Sequence, residues 1–241
     1  MNKEQSRFDF DSNPAFQTID YEVAARSFVP GYESIFNMAV ALLDASVSEQ
    51  AHLLIVAAGG GMELTIFGQA QPHWLFTGVD PSAKMLAIAQ EKVAKQGLTN
   101  RVKLHQGLTH ELPLTPLYDA ATCILAMHFL PDDGAKLSLL QSISQRLKPG
   151  AKLILVDLCE EKGSERFNDF LIAYKYHARN LGMSLEIVEE TASKVVHLNC
   201  ISEERTIELL QEANFSKITR FFTALWFRGW IATKILNAPE V

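Results

Sequence analysis

The sequence predicts an α/β protein built on a mostly parallel sheet. Three observations predict it. Short apolar runs alternate with amphipathic stretches between residues 32 and 156. A glycine-rich turn, Gly59-Gly60-Gly61, follows the first of those runs, and the second run closes on Asp80.

Residues 1–30 read as an irregular arm closing on Val29-Pro30-Gly31. Residues 32–45 read as a helix, because Ile35, Met38, Ala39, Leu42 and Leu43 share one face. Residues 52–57 are a short apolar run stopped by glycines, hence a buried strand, and 62–70 read as the helix after it. A second strand over 74–79 is closed by Asp80-Pro81-Ser82, which opens a helix over 82–95. Strands are expected at 101–105 and 119–126. A helix follows Pro131-Asp132-Asp133, and Lys148-Pro149-Gly150 stops it before a fifth strand over 152–156. This alternation implies parallel strands covered on both faces.

After Asp157 the pattern changes. Residues 160–196 are charged, helical and rich in aromatics, which reads as an insertion. Ser202 caps a further helix over 202–213, with Glu203 and Glu204 in its first turn. Two β-rich stretches, 216–223 and 225–233, close the chain as an antiparallel pair. The whole chain reads as one domain, with an arm and cap helix over 1–46 and a helical insertion over 160–198.

The 241 residues are 48% hydrophobic and 21% charged, which excludes a disordered or fibrous chain. Lys plus Arg total 22 against 28 for Asp plus Glu, and the net charge of -6 argues against direct nucleic-acid binding. The polar first fourteen residues lack the apolar core of a signal peptide, and no run is long enough to span a membrane. Cys123, Cys159 and Cys200 form no CxxC pair and read as reduced thiols of a cytoplasmic protein. The seven histidines are scattered, so no metal site is expected.

The chemistry lies in the glycine loop and Asp80. Glycines after a first strand let backbone approach a ligand, and the next helix offers free N–H groups. Gly59 and Gly61 supply the first part of a dinucleotide fingerprint, but Leu64 stands where its third glycine belongs, which counts against NAD. A strand-end carboxylate at Asp80 can take both hydroxyls of an adenosine ribose. The competing reading is a tight turn with a helix cap made by Asp80 or Ser82.

Five blocks then resemble the class I S-adenosylmethionine (SAM)-dependent methyltransferases, in that family's order. They are LLIVAAGGGMEL (53–64), GVDPSAKML (78–86), VKLHQGLTHELP (102–113), YDAATCILAMHFL (118–130) and LKPGAKLILVDL (147–158). The resemblance implies a Rossmann-like sheet of seven strands with the last reversed, and SAM or S-adenosylhomocysteine as cofactor. It implies that Asp80 holds the ribose, and that Pro81 and Met85 also belong to the cofactor site. Ala57, Ala58, Gly59 and Gly61 would take the methionine moiety, and Leu125 would lie beside the cofactor. Ile55 and Ala57 stand where that family carries an acidic residue at the first strand's end. Glu63 could replace it, or could only complement the helix dipole. Gly107-Leu108-Thr109 replaces a Gly-Asp pair, so adenine recognition near Leu108 and Thr109 would fall to backbone N–H groups.

The segment RSFVPGY (26–32) resembles a narrower subgroup, the carboxy-SAM synthases of tRNA wobble-uridine modification, and implies that Tyr32 covers the cofactor. The subgroup's carboxylate-binding Arg aligns with Glu190, and Arg179 is the nearest basic alternative.

Methyl transfer from a sulfonium mainly needs alignment and exclusion of water, and a base only if the acceptor must lose a proton. No catalytic residue is evident apart from His128, after the fourth strand, which could be such a base or simply pack. Trp226, Phe227, Arg228 and Trp230 could line an acceptor pocket or pack on the sheet. Tyr174 and His177 could form a lid, a dimer contact or core. The sequence reading is thus a SAM-dependent methyltransferase of a small-molecule acceptor, forming a homodimer. A carboxy-SAM synthase-like enzyme and a non-catalytic SAM-binding protein are the alternatives.

Overall fold

The computed structural model describes Asp11 and residues 21–236. Seven strands are present: β1 (His52–Val56), β2 (Leu75–Asp80), β3 (Val102–Gln106), β4 (Tyr118–Ile124), β5 (Leu147–Leu158), β6 (Phe215–Ala224) and β7 (Phe227–Lys234). They form one sheet in the order β3-β2-β1-β4-β5-β7-β6. The pairs joining β1 to β5 are parallel, and β7 runs antiparallel to both its neighbours. β7 alone is reversed, as expected.

The helices are α1 (Tyr21–Phe28), α2 (Tyr32–Asp44), α3 (Met62–Ala70), α4 (Ala83–Lys95), α5 (Ala135–Arg146), α6 (Glu165–Asn180), α7 (Leu185–Val195) and α8 (Glu203–Glu212). Both faces of β1 are buried, because successive side chains point to opposite sides of the sheet. Leu53 and Ile55 join Ile35, Phe67 and Trp74 in one core cluster. Leu54 and Val56 join Ile143, Leu155 and Trp230 in the other. Serine side chains cap α4, α6, α7 and α8 as acceptors: Ser82, Ser164, Ser184 and Ser202.

Three sequence expectations are corrected. The arm is not irregular throughout, since 21–28 is the helix α1. Ala24 and Ala25 favour it, Glu22 and Arg26 pair across one turn at 2.5 Å, and Pro30-Gly31 lies just beyond its end. The rest of that arm, Asp11 apart, lies outside the described residues. Lys148-Pro149-Gly150 belongs to β5 rather than to a turn, and Lys148 ties it to Asp119 of β4 at 2.7 Å. The helix expected from residue 131 begins only at Ala135, behind Gly134 at φ 106°.

The final hairpin turns at Leu225-Trp226 without glycine, although Leu225 adopts φ 51°. Arg228 explains this: its guanidinium donates to the carbonyls of Leu225 and Phe227 and holds the turn. β1 connects toward β2 on one side while β4 lies on the other. The C-terminal ends of β1 and β4 therefore flank the crevice where open α/β sheets bind ligands.

Candidate active site

The β1–α3 loop leaves the sheet through left-handed backbone. Ala57, Gly59 and Gly61 have φ of 53°, 47° and 78°. Gly61 has a second reason to lack a side chain, since a Cβ there would lie 3.0 Å from Cα of Ala89 in α4. Leu64 is fully buried in the core, so the position of the dinucleotide fingerprint's third glycine serves packing here.

Asp80 links the loop to the end of β2. Its Oδ2 accepts from the Gly59 N–H and its Oδ1 from the Ser82 N–H, both at 2.9 Å. Each oxygen keeps a lone pair, which suits a diol donating two hydroxyls. Burial pushes the Asp80 carboxyl above its ordinary value; the two N–H donors oppose the rise and Asp11 adds to it. Asp11 lies on the N-terminus of α4, accepting from Ser82 Oγ at 2.5 Å and from the Ala83 and Lys84 N–H groups at 3.1 Å. Of the two sequence readings of this turn, the helix cap is present at Ser82, while Asp80 ties the end of β2 to the loop through Gly59. Pro81 is exposed and Met85 buried, with the Met85 Cε 3.7 Å from where a Cβ on Gly59 would stand.

Glu63 starts α3 and is buried, 5% exposed. Thr122 Oγ1 of β4 donates to its Oε1 at 2.6 Å. Burial pushes the Glu63 carboxyl up to about 8, against the pull of Thr122, with Asp80 adding to the rise. Ile55 is fully buried and Ala57 carries no charge, so Glu63 brings the acid to the end of β1 from the neighbouring helix.

Glu22, Tyr32, Ala57, Gly59, Glu63 and Leu125 line a cavity of about 40 Å³ together with Lys92 and Ile124. Tyr32 is buried, edge-on to Phe36 at 4.9 Å. Leu125 takes φ 57° and donates its N–H to Val156 at 2.7 Å, and Ala58 donates to Val79 at 3.0 Å. Glu22 brings α1 to the wall of this cavity. Glu22 pairs with Lys92 of α4, whose Nζ lies 3.9 Å from where a Cβ on Gly60 would stand.

At the turn after β3, where the sequence reading expected backbone N–H groups to meet adenine, the Leu108 N–H is instead engaged by Glu111 Oε2 at 2.5 Å and Thr109 is buried. Sequence reasoning missed the residue that positions this turn. Arg146, 2% exposed at the end of α5, donates to the carbonyls of His110 and Leu112 at 2.7 and 2.6 Å. A guanidinium with carbonyl partners leaves no sequence signal.

His128 packs against Phe129 beyond β4, its Nδ1 bonded to Asp157 Oδ1 at the end of β5. Sequence reasoning also missed Asp157 as a partner of His128. The aromatic residues divide as follows. Trp226 and Trp230 are fully buried, Trp226 stacking near Phe167 and Tyr174 at 5.0 and 5.1 Å. Tyr174 is core, and Arg228 is committed to its own turn. Glu190 pairs with Lys194 at 2.8 Å, and Arg179 lies exposed on the last turn of α6. Among the described residues no group of His, Cys, Asp and Glu could hold a metal, and no helix is long and apolar enough to cross a membrane.

Comparisons with known proteins agree with this geometry. Residues 54–153 match the family model described as a methyltransferase domain. The chain is 33% identical over 113 residues to a demethylmenaquinone methyltransferase of Lactiplantibacillus plantarum, covering 46% of each chain. The magnesium protoporphyrin IX methyltransferase of Synechocystis PCC 6803, solved with SAM bound, superposes with a TM-score of 0.66 at 15% identity, covering 97% of this chain and 98% of that one. Residues 54–153 thus match a methyltransferase domain, on a fold shared with a SAM-dependent methyltransferase. Within that class the chain resembles the carboxy-SAM synthases: that of Chromohalobacter salexigens is 26% identical over 220 residues, 87% of this chain and 78% of that one.

The residues present fit SAM. Asp80 offers lone pairs for a diol, Glu63 a buried acid for an ammonium, and the glycine turn backbone that lines the cavity. SAM brings a methyl group on a positively charged sulfur, which is an activated leaving group.

Proposed function

We propose that the chain transfers the methyl group of SAM to a small-molecule acceptor. The observation that carries this reading is the bond from the Gly59 N–H to the Asp80 carboxylate, which sets the loop and the ribose acid as one unit. Asp80 binds the ribose diol. The 57–61 loop and Glu63 take the methionine end, and Tyr32 closes over it. The turn at Leu108 and Thr109, held by Arg146, flanks the adenine.

The chain works as one unit, with α1 and α2 over the cofactor and α6 and α7 beside the acceptor. A homodimer fits the exposed Ile172 and Tyr176, one turn apart on α6. A cytoplasmic setting fits three free cysteines, two of them buried. Direct nucleic-acid contact is disfavoured by the net charge of -6.

Calorimetry with SAM, S-adenosylhomocysteine and NAD tests the reading. Micromolar binding of the two sulfur compounds and none of NAD is the expected result. Failure of both sulfur compounds to bind would end it.

A second reading, carboxy-SAM synthesis, is favoured by the likeness over 87% of the chain. The ion-paired Glu190 and the exposed Arg179 leave it without the guanidinium that an added carboxylate needs. Prephenate-dependent formation of carboxy-SAM would promote it.

A further inference from the structure

The ends of β4 and β5 carry a polar cluster that cofactor binding does not use. Asp157 is 1% exposed. Its Oδ1 accepts from the Leu158 N–H at 2.8 Å and contacts His128 Nδ1. Its Oδ2 is buried with no hydrogen-bond partner among the described residues. Lys136, also 1% exposed, donates to the Met127 carbonyl at 2.7 Å and sets a cation in the same cluster. A buried carboxylate with one idle oxygen costs stability and calls for a role beyond packing.

The pair selects the tautomer of a neutral imidazole: with Nδ1 donating to Asp157, Nε2 keeps the lone pair. No hydrogen bond reaches Nε2 among the described residues. His128 stands three residues beyond Leu125, whose N–H is pinned to Val156 and which lines the cofactor cavity.

The other titratable groups of this corner are committed or unreactive. Burial pushes the thiols of Cys123, Cys159 and Cys200 up, that of Cys200 to about 12. Glu160 is held by Arg166 at 2.6 Å and Asp132 by Arg205 at 3.0 Å. Asn199 donates its backbone N–H to the His128 carbonyl at 2.9 Å.

We propose that His128, oriented by Asp157, is the proton acceptor for a hydroxyl nucleophile, so that the acceptor is an alcohol or phenol and the product a methyl ether. This rests on the methyltransferase reading above. The hydroxyl oxygen forms the new bond to the methyl carbon while the carbon–sulfur bond breaks, its electron pair staying on sulfur. The hydroxyl proton passes to Nε2 of His128, and the resulting imidazolium is held by Asp157. His128 is the catalytic residue and Asp157 its positioning residue. An acceptor whose nucleophilic atom carries no proton would need neither.

The test has two parts. Nitrogen-15 NMR of the imidazole ring reads the tautomer without turnover: wild type should hold the proton on Nδ1, and Asp157→Asn should lose that preference. Release of S-adenosylhomocysteine is then followed with catechol, benzyl alcohol, benzylamine and a phenol already ionised at neutral pH. His128→Gln should keep wild-type affinity for SAM, lose about 100-fold or more in rate with the hydroxyl probes, and keep its rate with the pre-ionised phenol. Asp157→Asn should move the acidic limb of the pH–rate profile. Wild type that binds SAM but methylates benzylamine alone, or none of the probes, overturns the proposal. So does a His128→Gln variant that methylates catechol at the wild-type rate. Failure to bind SAM at all instead refutes the methyltransferase reading.

Discussion

Thr122 and Glu63 join β4 to α3 across the mouth of the site, hydroxyl to carboxylate at 2.6 Å. The Glu63 carboxyl sits near 8 in the folded protein, against an ordinary value of 4.5. Between those two pH values the folded state holds a proton that the unfolded state has released. The stabilising contribution is therefore complete below 4.5 and is lost as pH rises through 8. Thermal melts should show wild type losing stability from pH 5 to pH 9. Glu63→Gln keeps an amide oxygen for Thr122 and should flatten that slope; an equal slope in the variant would contradict the assignment.

With the ammonium of SAM beside Glu63, as proposed, the same carboxyl would couple cofactor binding to a proton. An ammonium beside Glu63 favours its ionised form. SAM binding below pH 8 should therefore release up to about one proton per site, read by calorimetry in buffers of different ionisation heat. Glu63→Gln should release none from this position and bind SAM about tenfold more weakly.

Asp80→Ala tests the ribose site. The substitution removes the acceptor of the Gly59 and Ser82 N–H groups, costing about 1–3 kcal/mol of stability for each buried donor left unpaired. Denaturant titration should show that loss in a protein that still folds. Affinity for SAM should fall at least 100-fold under conditions where the variant remains native, and an unchanged affinity would refute the assignment.

Gly61→Ala probes the loop itself. The new Cβ would adopt φ 78° and press on Ala89 of α4 at 3.0 Å. Left-handed backbone costs a residue with a side chain about 1–2 kcal/mol, and the contact adds to it. Urea unfolding should show a loss of about 2 kcal/mol or more. Gly97→Ala, with φ 70° but open space around it, should cost less.

Much of this architecture was legible because it is written locally. The alternation of apolar runs and helices, the glycines after β1 and the Ser82 cap are one-dimensional patterns. They predict the parallel strands and the position of Asp80 at a strand end. What escaped was written across the sheet. Asp157 is one residue of an apolar strand until the fold brings His128 over it. Arg146 looks like an ordinary basic helix end bonded to Ser142 one turn back, yet it also holds carbonyls 34 and 36 residues away. The turn at Leu225 lacks turn residues because Arg228 supplies the donors that hold it. The helix α1 was hidden by the polar arm around it, although its own eight residues favour helix.

That helix sets the last prediction. Glu22 of α1 grips Lys92 of α4 above Gly60, leaving a cavity of about 40 Å³ where small-molecule sites usually offer several hundred. This cavity is where the proposed function places the methionine end of SAM, and entry of that end is expected to require this ion pair to open. The two side chains are about a quarter exposed, at 25% and 28%, so the pair is partly screened and contributes at most about 1 kcal/mol. Glu22→Gln should therefore speed association of SAM by about two- to fivefold in stopped-flow fluorescence at low salt. Added salt should speed association to wild type, because it weakens the clasp, and should leave the variant nearly unchanged. Equal association rates for the two proteins at low salt would show that α1 does not govern entry. Phe28, packed at 5.3 Å from Tyr174 of α6, would then be the contact that holds the arm, and Phe28→Ala the substitution that speeds association.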